Sequence, residues 1–271
     1  MTRIAAEDKY KIVFENARRF LKEMTPKEIN LDKYLEYKKD YVDLREVLER
    51  LIESLVNRGM MPKVIKFQER KSIFKEILYN FDAGEILSKY ANEDCVMSEF
   101  KKRFEIKNTQ SKRNSWKMLA KGIISGSRFM SSFNDKAAFD EFVKLFSKNQ
   151  YTKEALPMLL AKEIDGFGFA LACDFLKEIG CREYPKPDVH LIKIFSELGL
   201  SKKADYEVYK AIINMAEIVN QDAYTVDKYF WLISTGKFYP DKNNPKHEIR
   251  VGSHRDEFIK DTKNLLLKAG N

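Results

Sequence analysis

Cysteine is scarce in this sequence. The 271 residues contain three, Cys95, Cys173 and Cys181, an odd number at no metal-ligand spacing, which excludes a disulfide framework and a four-cysteine zinc or iron–sulfur site. Long apolar runs are missing as well: each is broken by a charge before the roughly 18 residues that a membrane span needs. The opening stretch MTRIAAEDKYKIVF has no apolar core of the secretory kind, so a cytoplasmic protein is expected. No stretch alternates apolar and polar residues long enough to predict a strand, and no repeat or low-complexity tract occurs.

What is present is helical patterning. Leu44, Val47, Leu48, Leu51, Ile52 and Leu55 recur at i, i+3, i+4, i+7, which predicts an amphipathic helix over 43–58 that stops at Gly59, with Pro62 just beyond. Phe139, Phe142, Val143 and Phe146 repeat the pattern behind Asn134 or Asp135 as N-cap, and Phe230 and Ile233 mark a helix ending at Gly236. Glycine and proline gather at 59–62, 166–168, 180–187 and 236–245, the predicted loops, and residues around 260–268 form a basic helical tail. With 44% hydrophobic and 33% charged residues the chain suits a packed, water-exposed fold. The expected class is all-α.

The net charge of +8 is unevenly placed. Residues 101–133 hold nine bases, Lys101, Lys102, Arg103, Lys107, Lys112, Arg113, Lys117, Lys121 and Arg128, against one acid, Glu105; the other residues carry 40 of each sign. A clustered excess suits a phosphate-facing surface, and equally a solvated helix face. Trp116 lies inside this window, where stacking on a base and burial beside Leu119 both fit its spacing.

The segment densest in chemical signals spans 164–200, IDGFGFALACDFLKEIGCREYPKPDVHLIKIFSELGL. Gly166 and Gly168, one residue apart between two helices, permit a tight turn and leave amides at the start of the next helix open to an anion. Some twenty residues on, Pro187 interrupts any preceding helix and Asp188 stands where an N-cap would stand, ahead of the apolar stripe Leu191, Phe195, Leu198. Taken alone, each feature also has a purely structural explanation, as a helix end and a helix cap.

Together they resemble the helix-hairpin-helix glycosylase superfamily of base-excision DNA repair, the group of endonuclease III and the adenine glycosylases. In that family a hairpin of type L-P-G-V-G precedes V-D-T-H-V and a helix ending in R-L-G. Here IDGFG at 164–168 matches the hairpin, and DVH at 188–190 through LGL at 198–200 matches the second part. WLISTGKFY at 231–239 is similar to the family's H-W-L-I-x-H-G-R-Y segment.

The resemblance implies two helical domains with a DNA cleft and the hairpin motif between them. Residues 43–182 would form a six-helix domain ending in the hairpin, and 1–42 with 183–271 a second domain carrying Asp188. It implies Asp188 as the catalytic carboxylate, the backbone of Gly166, Phe167 and Gly168 on a DNA phosphate, and Lys112, Arg113, Lys117 and Lys121 on flanking phosphates. The adenine-glycosylase branch suggests Glu53 as a general acid and Asn57 or Arg58 as a wedge into the base stack; the alternative for Glu53 is a plain surface glutamate. His190 would serve the helix start or packing, Trp231 would anchor the core, and Tyr184 would reach the pocket.

Relatives that also nick the strand carry a lysine eighteen residues before the aspartate; here that position is Ala170. The expectation is therefore a monofunctional DNA glycosylase acting on a flipped damaged or mispaired base. A lyase step from a displaced lysine (Lys162, Lys177 or Lys186), or a non-catalytic DNA-binding protein, are the alternatives. The four-cysteine cluster that many relatives place after the 231–239 segment is not encoded. A monovalent cation at the hairpin is the one inorganic ligand the resemblance admits. The expected partner is double-stranded DNA, bound by a nucleoid-associated monomer, with no membrane involved.

Overall fold

The computed structural model describes residues 5–36, 41–107, 111, 114–239 and 248–270; Lys112, Arg113 and residues 240–247 lie outside them. Helices α1 (Ala6–Met24) and α2 (Leu31–Glu36) come first. They are followed by α3 (Leu44–Val56), α4 (Met61–Ile65), α5 (Lys71–Ile77), α6 (Ala83–Lys89), α7 (Glu93–Arg103) and α8 (Ser115–Met130). Next are α9 (Lys136–Phe146), α10 (Gln150–Glu163), α11 (Phe169–Glu178), α12 (Val189–Glu197), α13 (Asp205–Ile218), α14 (Ala223–Thr235) and α15 (Arg255–Ala269). Two strands of two residues each, β1 (Lys237–Phe238) and β2 (Ile249–Arg250), pair antiparallel inside or beside the region expected to be loop. Among the described residues no helix is long and apolar enough to cross a membrane.

The chain divides into two compact units, Lys39–Ile179 and Met1–Lys38 with Gly180–Asn271. In the first, helix starts follow the sequence closely: Asp43, Asp82, Asn92, Asn114, Asp135 and Asn149 each accept an amide hydrogen bond as N-cap. Of the two candidates before α9, the cap is therefore Asp135. Among its described residues the unit has nine α-helical segments where six are expected, because the stretch between α3 and α7 breaks repeatedly. Lys66 ends α4 in the left-handed region, and Tyr79, Asn80 and Phe81 occupy that region in succession.

The core of this unit forms where α3 lies on α8. Val47, Leu48, Leu51, Ile52 and Leu55 are buried on α3, and glycines on α8 face them. A Cβ on Gly126 would stand 2.8 Å from Leu51 Cδ2; one on Gly122 would stand 2.5 Å from Leu55 Cδ1 and 2.8 Å from the Asp165 carbonyl oxygen. The second contact is backbone and cannot swing away. Gly122→Ala is therefore expected to destabilise the protein by about 1–3 kcal/mol through overpacking, measured as a lower urea midpoint at unchanged m. Trp116 resolves as a core residue: it is 3% exposed and its ring lies 4.7 Å from Phe104 and 5.2 Å from Phe100.

In the other unit α14 is central and packs against α1, α12, α13 and α15. Phe230 on α14 meets Phe195 of α12 at 5.1 Å and Phe258 of α15 at 5.9 Å. Gly236 caps α14 in the left-handed conformation, where the Gly252 backbone approaches so closely that no Cβ fits. The Gly236 carbonyl accepts the Val251 N–H at 2.9 Å, which joins α14 to the short sheet. Trp231, expected in the core, is half-buried, with the Lys228 ammonium 5.3 Å from its ring.

Candidate functional site

Asp188 caps α12. One carboxylate oxygen, Oδ1, accepts the N–H groups of His190 at 2.9 Å and Leu191 at 3.1 Å. Among the described residues Oδ2 accepts no hydrogen bond, and Asp188 is half-buried. The sequence favours this because Pro187 cannot continue a preceding helix and aspartate is a strong N-cap. The cap thus uses only one of the two carboxylate oxygens. His190 spends its backbone N–H on the cap, and its ring Nδ1 lies 3.5 Å from an Arg255 guanidinium nitrogen. Tyr184 is fully buried rather than facing a pocket.

The turn between α10 and α11 is built from Ile164 to Gly168. Ile164 is buried, and its carbonyl accepts the Phe167 N–H at 3.1 Å. Gly166 has φ +92°, a conformation that a side chain would strain, and an added Cβ would stand 3.3 Å from Leu55 Cδ2. Phe167 turns inward, 6.1 Å from Phe175, so only its backbone faces out. Gly168 starts α11 without a side-chain cap and is exposed; a Cβ added there would meet nothing within 4 Å. Helix-start amides beside an unobstructed glycine can take a phosphate oxygen.

One helix connects the turn to the basic stretch. Lys117, Lys121 and Ser125 succeed one another at i, i+4 on one face of α8, and Ser125 Oγ accepts the Asp165 N–H at 2.8 Å. The charge window is less free than its composition suggests. Lys102 pairs with Glu99 at 2.9 Å, Arg103 with Glu76 at 2.5 Å, and Lys121 with Glu93 at 3.8 Å. Lys112 and Arg113 lie outside the described residues.

Of the remaining expected residues, Glu53 and Asn57 join a polar cluster around the buried Asp174 at the end of α3, and Arg58 is exposed beyond it. Asp174 of α11 is 4% exposed, and its Oδ2 accepts Arg50 Nη2 at 3.3 Å, Ser54 Oγ at 3.3 Å and Asn57 Nδ2 at 3.1 Å. Burial pulls the Arg50 guanidinium down, but Glu53, Glu178 and Asp174 outweigh it and hold it above the ordinary arginine range. Burial pushes the Tyr41 phenol up, against the pull of Arg50. Glu53 is paired with Arg50 at 2.9 Å and also takes a hydrogen bond from Gln68. Asn57 is tied to Asp174, which leaves Arg58, Gly59 and the 63%-exposed Met60 as the tip beyond α3.

Ala170 stands in the first turn of α11. Lys177 is on the same helix, seven residues and so about 10 Å further along the axis, and 5% exposed. Lys162 is exposed in the last turn of α10. The described residues contain no group of three or more His, Cys, Asp or Glu able to hold a metal ion. A monovalent cation at the turn would rely on backbone carbonyls, two of which, Ile164 and Gly168, already accept amide bonds. A hollow of about 430 Å³ between α1 and α15 is lined by Arg19, Phe20, His254, Glu257 and Asp261, and the Arg19–Asp261 ion pair at 2.6 Å spans it.

By its described residues this is a predominantly α-helical protein in two units. No family model, curated protein or solved structure matches the chain.

Proposed function

We propose that the protein is a monofunctional DNA glycosylase that hydrolyses the N-glycosidic bond of a damaged or mispaired base flipped out of the duplex. The observation that carries this reading is Asp188: a half-buried carboxylate with one oxygen fixed by helix amides and the other accepting no hydrogen bond among the described residues. A base inside the stack is out of reach, so the nucleotide must be extruded. As the C1′–N bond breaks, its electron pair leaves with the base and positive charge develops on the sugar. Asp188 stabilises that charge and accepts a proton from the water whose oxygen attacks C1′. The departing base takes up a proton, delivered from Asp188 or through solvent, and the products are free base and an abasic site.

The turn at 164–168 serves as the hairpin of a helix-hairpin-helix motif, its amides on one backbone phosphate, with Lys117 and Lys121 on neighbouring ones. Glu53, paired with Arg50, is better suited to holding α3 than to giving up a proton, and Arg58 or Met60 suits the wedge better than Asn57. Ala170 in the lysine position supports base removal by water, with no covalent sugar adduct.

The test is a panel of duplex oligonucleotides, each with one oxidised, alkylated, deaminated or mispaired base, incubated with the protein and developed with and without alkali. Strand breaks that need alkali support the reading and identify the base. Breaks without alkali, together with a borohydride-trapped protein–DNA adduct, would replace it with a lyase. Duplex binding with no base release on any substrate would leave a non-catalytic binding protein.

A further inference from the structure

We propose that Asp227 is the positioning residue for Asp188, a role that rests on the glycosylase reading above. Asp227 lies on α14 and is 1% exposed. Its Oδ2 accepts the backbone N–H of Lys186 at 2.6 Å, 41 residues back along the chain. The Lys186 carbonyl in turn accepts the Asp188 N–H at 2.9 Å. A single residue therefore links a buried carboxylate to the backbone of the candidate catalytic one.

The sequence around Lys186 makes this link singular. Pro185 and Pro187 flank it, and neither has an amide hydrogen, so Lys186 is the only backbone donor of the three residues before Asp188. The prolines fix φ on both sides and are buried, and the Lys186 amide ties the step between them to α14. The same helix holds the start of the loop. Arg182 donates to Asp222 Oδ2 through Nε at 3.0 Å and Nη2 at 2.7 Å, and its carbonyl accepts the Tyr224 N–H at 2.8 Å. The start of α14 thus clamps the loop at both ends, at Arg182 and at Lys186.

The two restraints on Asp188 act on different parts of it. The α12 amides fix Oδ1, and Asp227, through Lys186, fixes the main chain from which the side chain departs. Together these restraints hold both ends of the Asp188 side chain's attachment, its backbone and Oδ1. Misplacement of a reacting group by about 1 Å can cost on the order of 10²-fold in rate. An acceptor that only stabilised the fold would need no such proximity to Asp188.

The experiment uses the full chain with Asp227→Ala, Asp227→Glu, Asp227→Asn and Asp188→Asn, on the oligonucleotide that responds in the panel. Single-turnover base release at saturating protein, duplex Kd and melting temperature are measured for each. Ala removes the acceptor and Glu displaces it by a methylene; both are expected to slow release by about 10- to 100-fold with Kd unchanged. Asn keeps an acceptor in place and is expected to stay within about threefold of wild type. A rate for Ala or Glu equal to wild type, or an Asn variant as slow as Glu, overturns the inference while the glycosylase reading stands, provided Asp188→Asn is inactive. Should Ala not fold, the comparison of Glu with Asn decides alone. Full activity in Asp188→Asn, or no release by the wild type, overturns both.

Discussion

Asparagine at position 188 is expected to slow base release by about 10²–10⁴-fold while leaving the fold and the duplex affinity as they are. The separation is possible because the proposed mechanism gives Asp188 two jobs on two oxygens. Asparagine is as good an N-cap as aspartate, so its Oδ1 can accept the His190 and Leu191 amides and α12 keeps its start. What asparagine lacks is the negative charge opposite the developing oxocarbenium and a site to receive the water proton. Alanine removes both functions, and should add about 1 kcal/mol of destabilisation from the lost cap to the same loss of rate. The comparison is read by single-turnover kinetics beside a thermal melt. An asparagine variant that releases base at the wild-type rate sinks the catalytic assignment. An asparagine variant that melts as early as alanine instead shows that the charge matters to the cap.

The elements that were legible from sequence are those whose signal is local. The stripe from Leu44 to Leu55 needs only the helical repeat, and α3 runs Leu44–Val56 where 43–58 is expected. Gly236 ends α14 because a left-handed cap favours glycine, and Asp135 and Asp188 cap their helices as their type and place suggest. What stayed hidden depends on partners far away in sequence. Asp174 and Asp227 sit on core-facing helix positions, and nothing nearby indicates that Arg50 and the Lys186 amide, 124 and 41 residues away, receive them. The left-handed run Tyr79, Asn80, Phe81 contains no glycine, and two-residue strands are too short for any alternation to show. The charge excess is a further instance. Counted along the chain, 101–133 is strongly basic; in space, Glu76, Glu93 and Glu99 from outside that window neutralise part of it.

The buried cluster around Asp174 supports the second large expectation: Asp174→Ala should destabilise the protein by about 3–5 kcal/mol. The figure rests on what remains after the carboxylate is gone. Arg50 would keep Glu53 but lose the partner on its other side, and Ser54 and Asn57 would lose the acceptor they now share. A charge left buried with too few partners costs more than the intact pair contributes, which is why single and double changes should disagree. Replacing Arg50 by Met and Asp174 by Leu together should recover much of the loss, with a coupling energy above about 1 kcal/mol in the double-mutant cycle. Urea denaturation of the four proteins measures it, and additive single effects would show that the two side chains are not energetically linked. The consequence reaches the candidate site because Gly168 is the N-cap of α11 and Asn57 the C-cap of α3. Asp174 fastens these two helices, so its loss should loosen the hairpin and the 58–60 tip together. Alanine at 174 is therefore expected to weaken duplex binding as well as stability. A destabilised variant that still binds duplex with the wild-type salt dependence would confine Asp174 to the core.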